Sequence, residues 1–180
     1  MEIETERLRL RAFTSKDADE HYRIISDTEF RRHFPAQFFQ PTRDNVLVGI
    51  GRVIEHHYQR GFGYWAMDLK EEARMVGYCG LRFLAPTQEV ELLYGIERAH
   101  WSRGLTTEAA RASLRFGFDE MKFERIMAVT DPANLGSRRV MEKCGMKYER
   151  DAVYFETPCV YYALNRDDYR ADGGTYVLHP

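Results

Sequence analysis

The sequence is poor in the features that mark a specialised environment. Its 180 residues hold three cysteines, Cys79, Cys144 and Cys159. These are too few and too widely spaced for a disulfide framework or a zinc pattern, and a reducing, cytoplasmic setting is the default expectation. No run approaches the roughly 18 consecutive apolar residues of a membrane span. The opening stretch MEIETERLRLR is acidic and then alternating, unlike a signal peptide. Neither sign of charge is in excess: 26 Lys and Arg against 28 Asp and Glu give a net charge of −2. The two signs are mixed along the chain, so there is no basic stripe of the kind that binds nucleic acid. Repeats and low-complexity segments are absent. The histidines, His21, His33, His56, His57, His100 and His179, contain no H-x-x-x-H pair, so no metal is expected. The adjacent His56 and His57 read as a wet helix face.

What is present is ordinary for one globular domain: 44% hydrophobic and 30% charged residues, with length enough for a real core. Thr5 to Phe13 alternates, Leu8, Leu10 and Ala12 against Arg7, Arg9 and Arg11, and predicts a first strand. TSKD, from Thr14, predicts the start of a helix running to about Ser26. After an irregular stretch broken by Pro35 and Pro41, a second helix is expected over about Arg43 to Tyr58. It would carry Val46, Ile50, Val53 and Ile54 on one side, and Gly61 and Gly63 would end it. Gly63–Leu69, Met75–Leu84 and Glu89–Ile96 predict an antiparallel meander. A helix over about Gly104 to Met121 follows, burying Leu105, Ala109, Ala112 and Phe116. Then come a strand (Arg125–Asp131), a short helix (Asn134–Gly145) and two last strands from Met146 and Pro158. The tail from Arg170 shows no pattern. The expected class is α/β (α+β): a mixed, mostly antiparallel sheet of about seven strands flanked by about four helices, with one locally parallel pair.

Ligands in such sheets sit where the strand order switches, at the strands' C-terminal ends. The stretch HWSRGLTTEA, residues 100 to 109, lies at such a junction. A helix N-terminus offers unpaired N–H groups and partial positive charge. Gly104 lets the backbone approach a ligand, Thr106 and Thr107 add hydroxyls, and Arg103 adds a cation, a set that suits a pyrophosphate. The same residues also describe a plain turn in which the threonines cap a helix.

The wider run from VELLYGIERAHWSRGLTTEAARASLRFGFDE through RIMAVTDPANLGSRRVMEKCGMKYER, with ETERLRLRAFTSKDADEHYRIISD before it, resembles the GNAT superfamily of acyl-CoA-dependent N-acyltransferases. More narrowly it is similar to the branch typified by the ribosomal-protein N-terminal acetyltransferases RimJ and RimL. The likeness spans Glu4 to about Tyr169 and is weakest over Arg31 to Gly61. It implies a single GNAT domain that transfers an acetyl group from acetyl-CoA to a primary amine, a protein N-terminus or a small molecule. The transfer would be a direct attack in a ternary complex, and a homodimer is compatible with the family. Backbone N–H groups of Ser102, Arg103, Gly104, Leu105 and Thr106 would hold the pyrophosphate of coenzyme A, with Trp101 at the motif's first position and Thr107 beside it. Thr106 stands where the family usually has Gly or Ala.

The resemblance also implies roles elsewhere. Glu91 is the candidate base, although Glu89 and Glu91 also read as solvated edge charges. A bulge near Leu93 and Tyr94 would expose a backbone N–H as oxyanion donor, with Ile96 following on the cofactor strand. Asn134 would touch the pantetheine arm. Ser137 would lie near the thiol as the acid, or stand as a polar residue facing solvent. Many relatives carry a tyrosine seven residues after the Asn; here that position is Met141, which cannot donate a proton. Arg138 could meet a phosphate or be a surface charge. Phe34, Phe38 and Phe39 are candidates for the acceptor groove, or core under a loop. Two other readings compete: a non-catalytic acyl-CoA-binding module, and a cysteine acyltransferase acting through Cys144.

Overall fold

The computed structural model describes residues 1–34, 40–84, 87–154 and 156–179. In chain order the elements are β1 (Glu2–Glu4), β2 (Leu8–Arg11), α1 (Ala18–Ser26), α2 (Thr28–Arg31), α3 (Arg43–Arg60), β3 (Tyr64–Leu69), β4 (Arg74–Leu84) and β5 (Glu89–Ile96), then α4 (Leu105–Arg115), β6 (Arg125–Thr130), α5 (Leu135–Lys143), β7 (Lys147–Tyr154), β8 (Thr157–Asn165) and β9 (Val177–His179). Among the described residues the strands form one sheet in the order β7-β8-β6-β5-β4-β3-β2-β1-β9. Among the described residues only β5 and β6 run parallel, as the strand–helix–strand connection through α4 requires.

The sheet has two strands more than the pattern predicts. The expected single strand from Thr5 to Phe13 is shorter, because Thr5 turns the chain: its N–H and hydroxyl both reach Leu8 O. β1 lies before that turn. β9 pairs with β1 through Glu2↔His179 to Glu4↔Val177; three half-exposed residues carry no alternation to read. The fifth helix, α2, is one turn capped by the Asp27 carboxylate, which accepts from Phe30 N at 2.9 Å.

Local chemistry explains the other boundaries. Asp17 folds back on the Thr14 N–H at 2.7 Å and opens α1 through a single 3-10 turn. Thr42 caps α3, and Gly61 closes it at φ 72°, a left-handed conformation glycine adopts without strain. Within α3, Val46, Ile50 and Val53 are buried, whereas Ile54 is 40% exposed and lies off the expected face. His57 is no wet surface residue: its ring packs on Trp65 and its Nε2 meets Tyr64 O at 3.0 Å. α4 stops at Arg115 and continues as a π turn over Phe116–Glu120, short of the helix expected to Met121.

Two apolar layers clamp the sheet. On one face α4 and α5 bury Leu105, Ala109, Ala110 and Met141 against Trp65, Met67, Leu81, Leu92 and Ile126. On the other, α1 and α3 bury Ile24, Ile25, Val46 and Ile50 against Ala66 and Tyr78. Strand alternation sends successive residues of β3 and β5 to opposite layers, so one strand serves both cores.

His21, on α1, is enclosed edge-on by Phe13 and Tyr78 at 5.3 and 5.4 Å. Burial pushes its imidazole down to about 4, against a smaller opposing pull from Asp17. A depressed histidine stabilises the fold above its unfolded value near 6.5, and that stability is lost as pH falls towards 4. Urea melts should therefore show stability declining between pH 6.5 and 4, and His21→Phe, which keeps the ring contacts, should flatten that decline. An equal decline in the variant would assign it to other groups.

Candidate active site

The site is opened by a failure of pairing. β5 is hydrogen-bonded along its whole length to β4, from Glu89↔Leu84 to Ile96↔Gly77, in unbroken register. Its parallel partner β6 meets it at one position only, Glu91↔Met127. Beyond that point the two strands diverge. The bulge expected near Leu93 and Tyr94 is absent from the β4–β5 ladder, and the opening arises from the split between β5 and β6 instead. Direction of the peptide groups follows. Glu97 N–H bonds Val76 O on β4, so by alternation Gly95 and Leu93 also point their N–H groups at β4. Tyr94 N–H faces the split, as does Ile96 C=O, which takes the indole N–H of Trp101 at 3.0 Å.

The loop after β5 is built as a cradle. Ser102 and Gly104 have φ of 62° and 80°. Gly104 is the N-cap of α4 without any side-chain cap, so the threonines do not cap the helix. The backbone N–H groups of Ser102 through Thr107 make no hydrogen bond to the described residues. Successive unpaired donors in such turns, at a helix N-terminus, suit a phosphate. The loop is held from behind: Arg7 donates to Arg103 O at 2.9 Å, and Glu108 in the first turn of α4 accepts from Arg7 and Thr5. The Arg103 guanidinium pairs with Glu71 at 2.6 Å. At the root of the loop His100 stands 2.7 Å from Glu97 and from Glu72. These three side chains are close enough to suggest a metal site. Arg23 and Arg74 already pair with the Glu97 carboxylate, however, so the cluster reads as an ion-pair network that fixes the loop.

Glu91 and Leu93 lie on the α1–α3 face, as alternation predicts. Glu91 is 5% exposed rather than a solvated edge charge. Its carboxylate accepts from Arg82 Nε at 2.6 Å. Burial raises its pKa above the ordinary glutamate value, and Arg82 opposes the shift. Such a carboxyl can take a proton near neutral pH more readily than an exposed one. Glu89 instead accepts from Tyr161 OH at 2.6 Å.

On the α5 side, Asn134 caps the helix, its side-chain oxygen accepting from Ser137 N at 3.0 Å. Ser137 is half-buried and engaged: its Oγ lies 3.0 Å from Tyr94 OH, which also donates to Ser137 O at 3.1 Å. Met141 is buried core. The structure thus brings a tyrosine hydroxyl to the split from β5, where the helix supplies none. Its signal in the sequence was alternation, which puts Tyr94 on the α5 face. Arg138 is engaged with Tyr162 OH at 3.2 Å rather than turned to the loop. Cys144 is buried, and its thiol is pushed up to about 12, mainly by that burial, which removes the thiolate an acyl-enzyme needs.

Across the mouth of the split, the end of α2 forms a bridge that sequence reading missed. The Arg32 guanidinium lies 5.9 Å over the Trp101 ring, and His33 Nδ1 meets Asp131, just after β6, at 2.8 Å. Phe34 stacks on Phe30 at 5.6 Å. Phe38 and Phe39 lie outside the described residues.

Residues 7–147 match the family model described as an acetyltransferase (GNAT) domain. The chain belongs to the GNAT acetyltransferase family. Among its relatives, the Bacillus subtilis protein YkkB is 28% identical over 160 residues, covering 88% of this chain and 92% of YkkB. A GNAT-family acetyltransferase from Bacillus anthracis superposes with a TM-score of 0.79 at 27% identity, over 93% of this chain and 99% of that one. The structure of RimL, a ribosomal alpha-N-protein acetyltransferase in complex with coenzyme A, gives 0.76 at 14% identity, over 89% and 95%; at that distance the likeness is one of fold. GNAT membership supports acetyl transfer from acetyl-CoA in general terms.

Gly104→Ala places a Cβ in a left-handed residue, with only Arg7 near it at 3.6 Å. The strain, about 1–3 kcal/mol, falls on the cradle. Calorimetric titration with coenzyme A should show affinity about tenfold lower, with the protein still folded by circular dichroism. Unchanged affinity would remove the loop from the cofactor site.

Proposed function

We propose that this GNAT domain acetylates a primary amine in a ternary complex with acetyl-CoA, in the manner of the RimJ/RimL-like branch. The observation that carries the reading is the unpaired N–H cradle of residues 102–107 at one end of a split whose other face holds the buried Glu91. The coenzyme A bound in the RimL structure adds support. Acetyl-CoA supplies an activated thioester. The N–H groups of Ser102 to Thr107 hold its pyrophosphate, and Asn134, which makes no side-chain donor bond of its own among the described residues, steadies the pantetheine arm. Tyr94 N–H, aimed into the split, stabilises the negative charge that develops on the carbonyl oxygen. Glu91 accepts the amine proton, directly or through a water, with Arg82 fixing its orientation. As the C–N bond forms and the C–S bond breaks, the Ser137–Tyr94 hydroxyl pair delivers a proton to the departing sulfur.

An α-amino group has a pKa near ~8, so roughly a tenth is neutral at pH 7; lysine at ~10.4 is almost wholly charged. That favours α-amines and weakly basic small amines as acceptors. A panel of N-terminal peptides, lysine peptides and small amines, read by mass spectrometry of the acceptor, should yield an acetylated product. Glu91→Gln should lower kcat by about a hundredfold or more while keeping coenzyme A affinity. Since the Glu91 carboxyl is raised by burial, wild-type kcat should fall with acid through an apparent pKa above 4.5, and the variant should lose that limb. Full activity in Glu91→Gln would remove the base from this mechanism. Tight coenzyme A binding with no acetylated product would favour a non-catalytic acyl-CoA-binding module.

A further inference from the structure

The ion-pair network at the root of the cradle is one positive charge short without its histidine. Its carboxylates are Glu20, Glu72 and Glu97, and its guanidiniums are Arg23 and Arg74. Arg23 pairs with Glu20 and Glu97, and Arg74 pairs with all three acids. Burial alone would raise the Glu97 carboxyl, but Arg74 and Arg23 hold it below the ordinary glutamate value. The contact with His100 lowers Glu72 in the same way. Both acids are therefore ionised near neutral pH. Three negative charges face two positive ones unless the sixth member, His100, carries a proton.

His100 is built for that role. It is 3% exposed, so bulk water does little to balance the charge around it. Its Nε2 lies 2.7 Å from Glu72, in the turn between β3 and β4, and its Nδ1 lies 2.7 Å from Glu97, just past β5. A neutral imidazole has one N–H and one lone pair, and a carboxylate only accepts. In either tautomer the lone pair would stand against a carboxylate oxygen. The Nδ1 contact is also off the hydrogen-bond line, so it is the attraction of a cation for an anion rather than a directed bond. Among the described residues, the other charged groups on the elements around it are Arg74 on β4 and Glu20 and Arg23 on α1, all engaged in the network. Its chain neighbours are Arg98 and Arg103, and Arg103 pairs with Glu71.

The ring is coupled to the cradle through the backbone. His100 N–H bonds Glu97 O at 3.0 Å, and the cradle opens at Ser102, two residues further on. Loss of the ring's proton would leave a buried surplus of negative charge. It would push Glu72 or Glu97 away from the ring and add repulsion beside a site shaped for an anion. We propose that His100 is a positioning residue for the cofactor: its ring must hold a proton for residues 102–107 to grip a pyrophosphate, so coenzyme A binding and protonation of His100 are coupled. The proposal rests on the reading of the cradle as the pyrophosphate site. By linkage, affinity falls as rising pH removes that proton, and bound cofactor makes the proton harder to remove.

The test is calorimetric titration with 3′-dephospho-coenzyme A, which keeps the pyrophosphate but lacks the phosphate monoester that would itself titrate near neutral pH. For wild type, affinity should fall by about tenfold between about pH 6.5 and about pH 8.5. His100→Gln should bind weakly and equally at both. Glu72→Gln leaves two carboxylates facing two guanidiniums, and a neutral ring can pair with the new amide. Glu72 is exposed, so this variant should keep its fold, and it should bind as wild type does at low pH, with no pH dependence. Adding Glu72→Gln to His100→Gln should restore most of the lost affinity, a rescue that a purely structural histidine would not allow. Tight binding by wild type with no fall towards high pH, or the same fall in Glu72→Gln, would overturn the proton's role and leave the cradle standing. If wild type bound neither dephospho-coenzyme A nor coenzyme A at any pH, the cradle reading and the proposal would go together.

Discussion

The structure depends on a single broken ladder. β5 is committed to β4 along its full length, and its parallel bond to β6 survives at one residue pair, Glu91↔Met127. A sheet cannot diverge in its middle without exposing peptide groups, and buried unpaired peptides are costly. Here the exposed groups are Tyr94 N–H, directed into the gap, and Ile96 C=O, covered by the Trp101 indole. The gap persists because both strands are held elsewhere: β5 by β4, and β6 by its antiparallel ladder to β8 from Arg125↔Asn165 to Thr130↔Val160.

Everything proposed for the chemistry is arranged about that gap, and alternation along β5 does the sorting. Odd residues put Glu91 and Leu93 on the α1–α3 face, and even residues put Leu92 and Tyr94 on the α4–α5 face. The proposed proton acceptor and the hydroxyl pair proposed as donor therefore sit on opposite faces of one strand. The Glu97–Arg23–Arg74–His100 network at the end of β5 anchors the cradle to α1 and β4. Its members are more than 70 residues apart at the extremes, with Arg23 and Glu97 separated by 74 positions.

Much of this was legible in the sequence because it rests on local rules. The strands β3, β4 and β5, the capped start of α1, the glycine stop at Gly61 and the helix after Gly104 each depend on residues within one or two turns of one another. So did the two faces of β5, and with them the placement of Glu91 and Tyr94. What local rules missed was short or paired from afar. β1 and β9 hold three residues each, and α2 is a single turn fixed by one carboxylate. Ile54 carries an apolar side chain just off the buried face of α3 that Val46, Ile50 and Val53 define.

The sequence by itself determined the order of the longer elements and the glycine turn that opens α4, which follow from hydrophobic periodicity and turn chemistry among neighbours along the chain. The family, and with it the candidate roles of the loop and of Glu91, came from resemblance over most of the chain. Only the tertiary structure decided where the split begins, that Tyr94 reaches Ser137, that Arg138 is taken by Tyr162, and that Cys144 is sealed in the core. Each of these depends on which side chains meet across β4, β5, β6 and the helices that cover them. Burial, not residue type, sets their protonation and availability, and burial is a property of the assembled sheet.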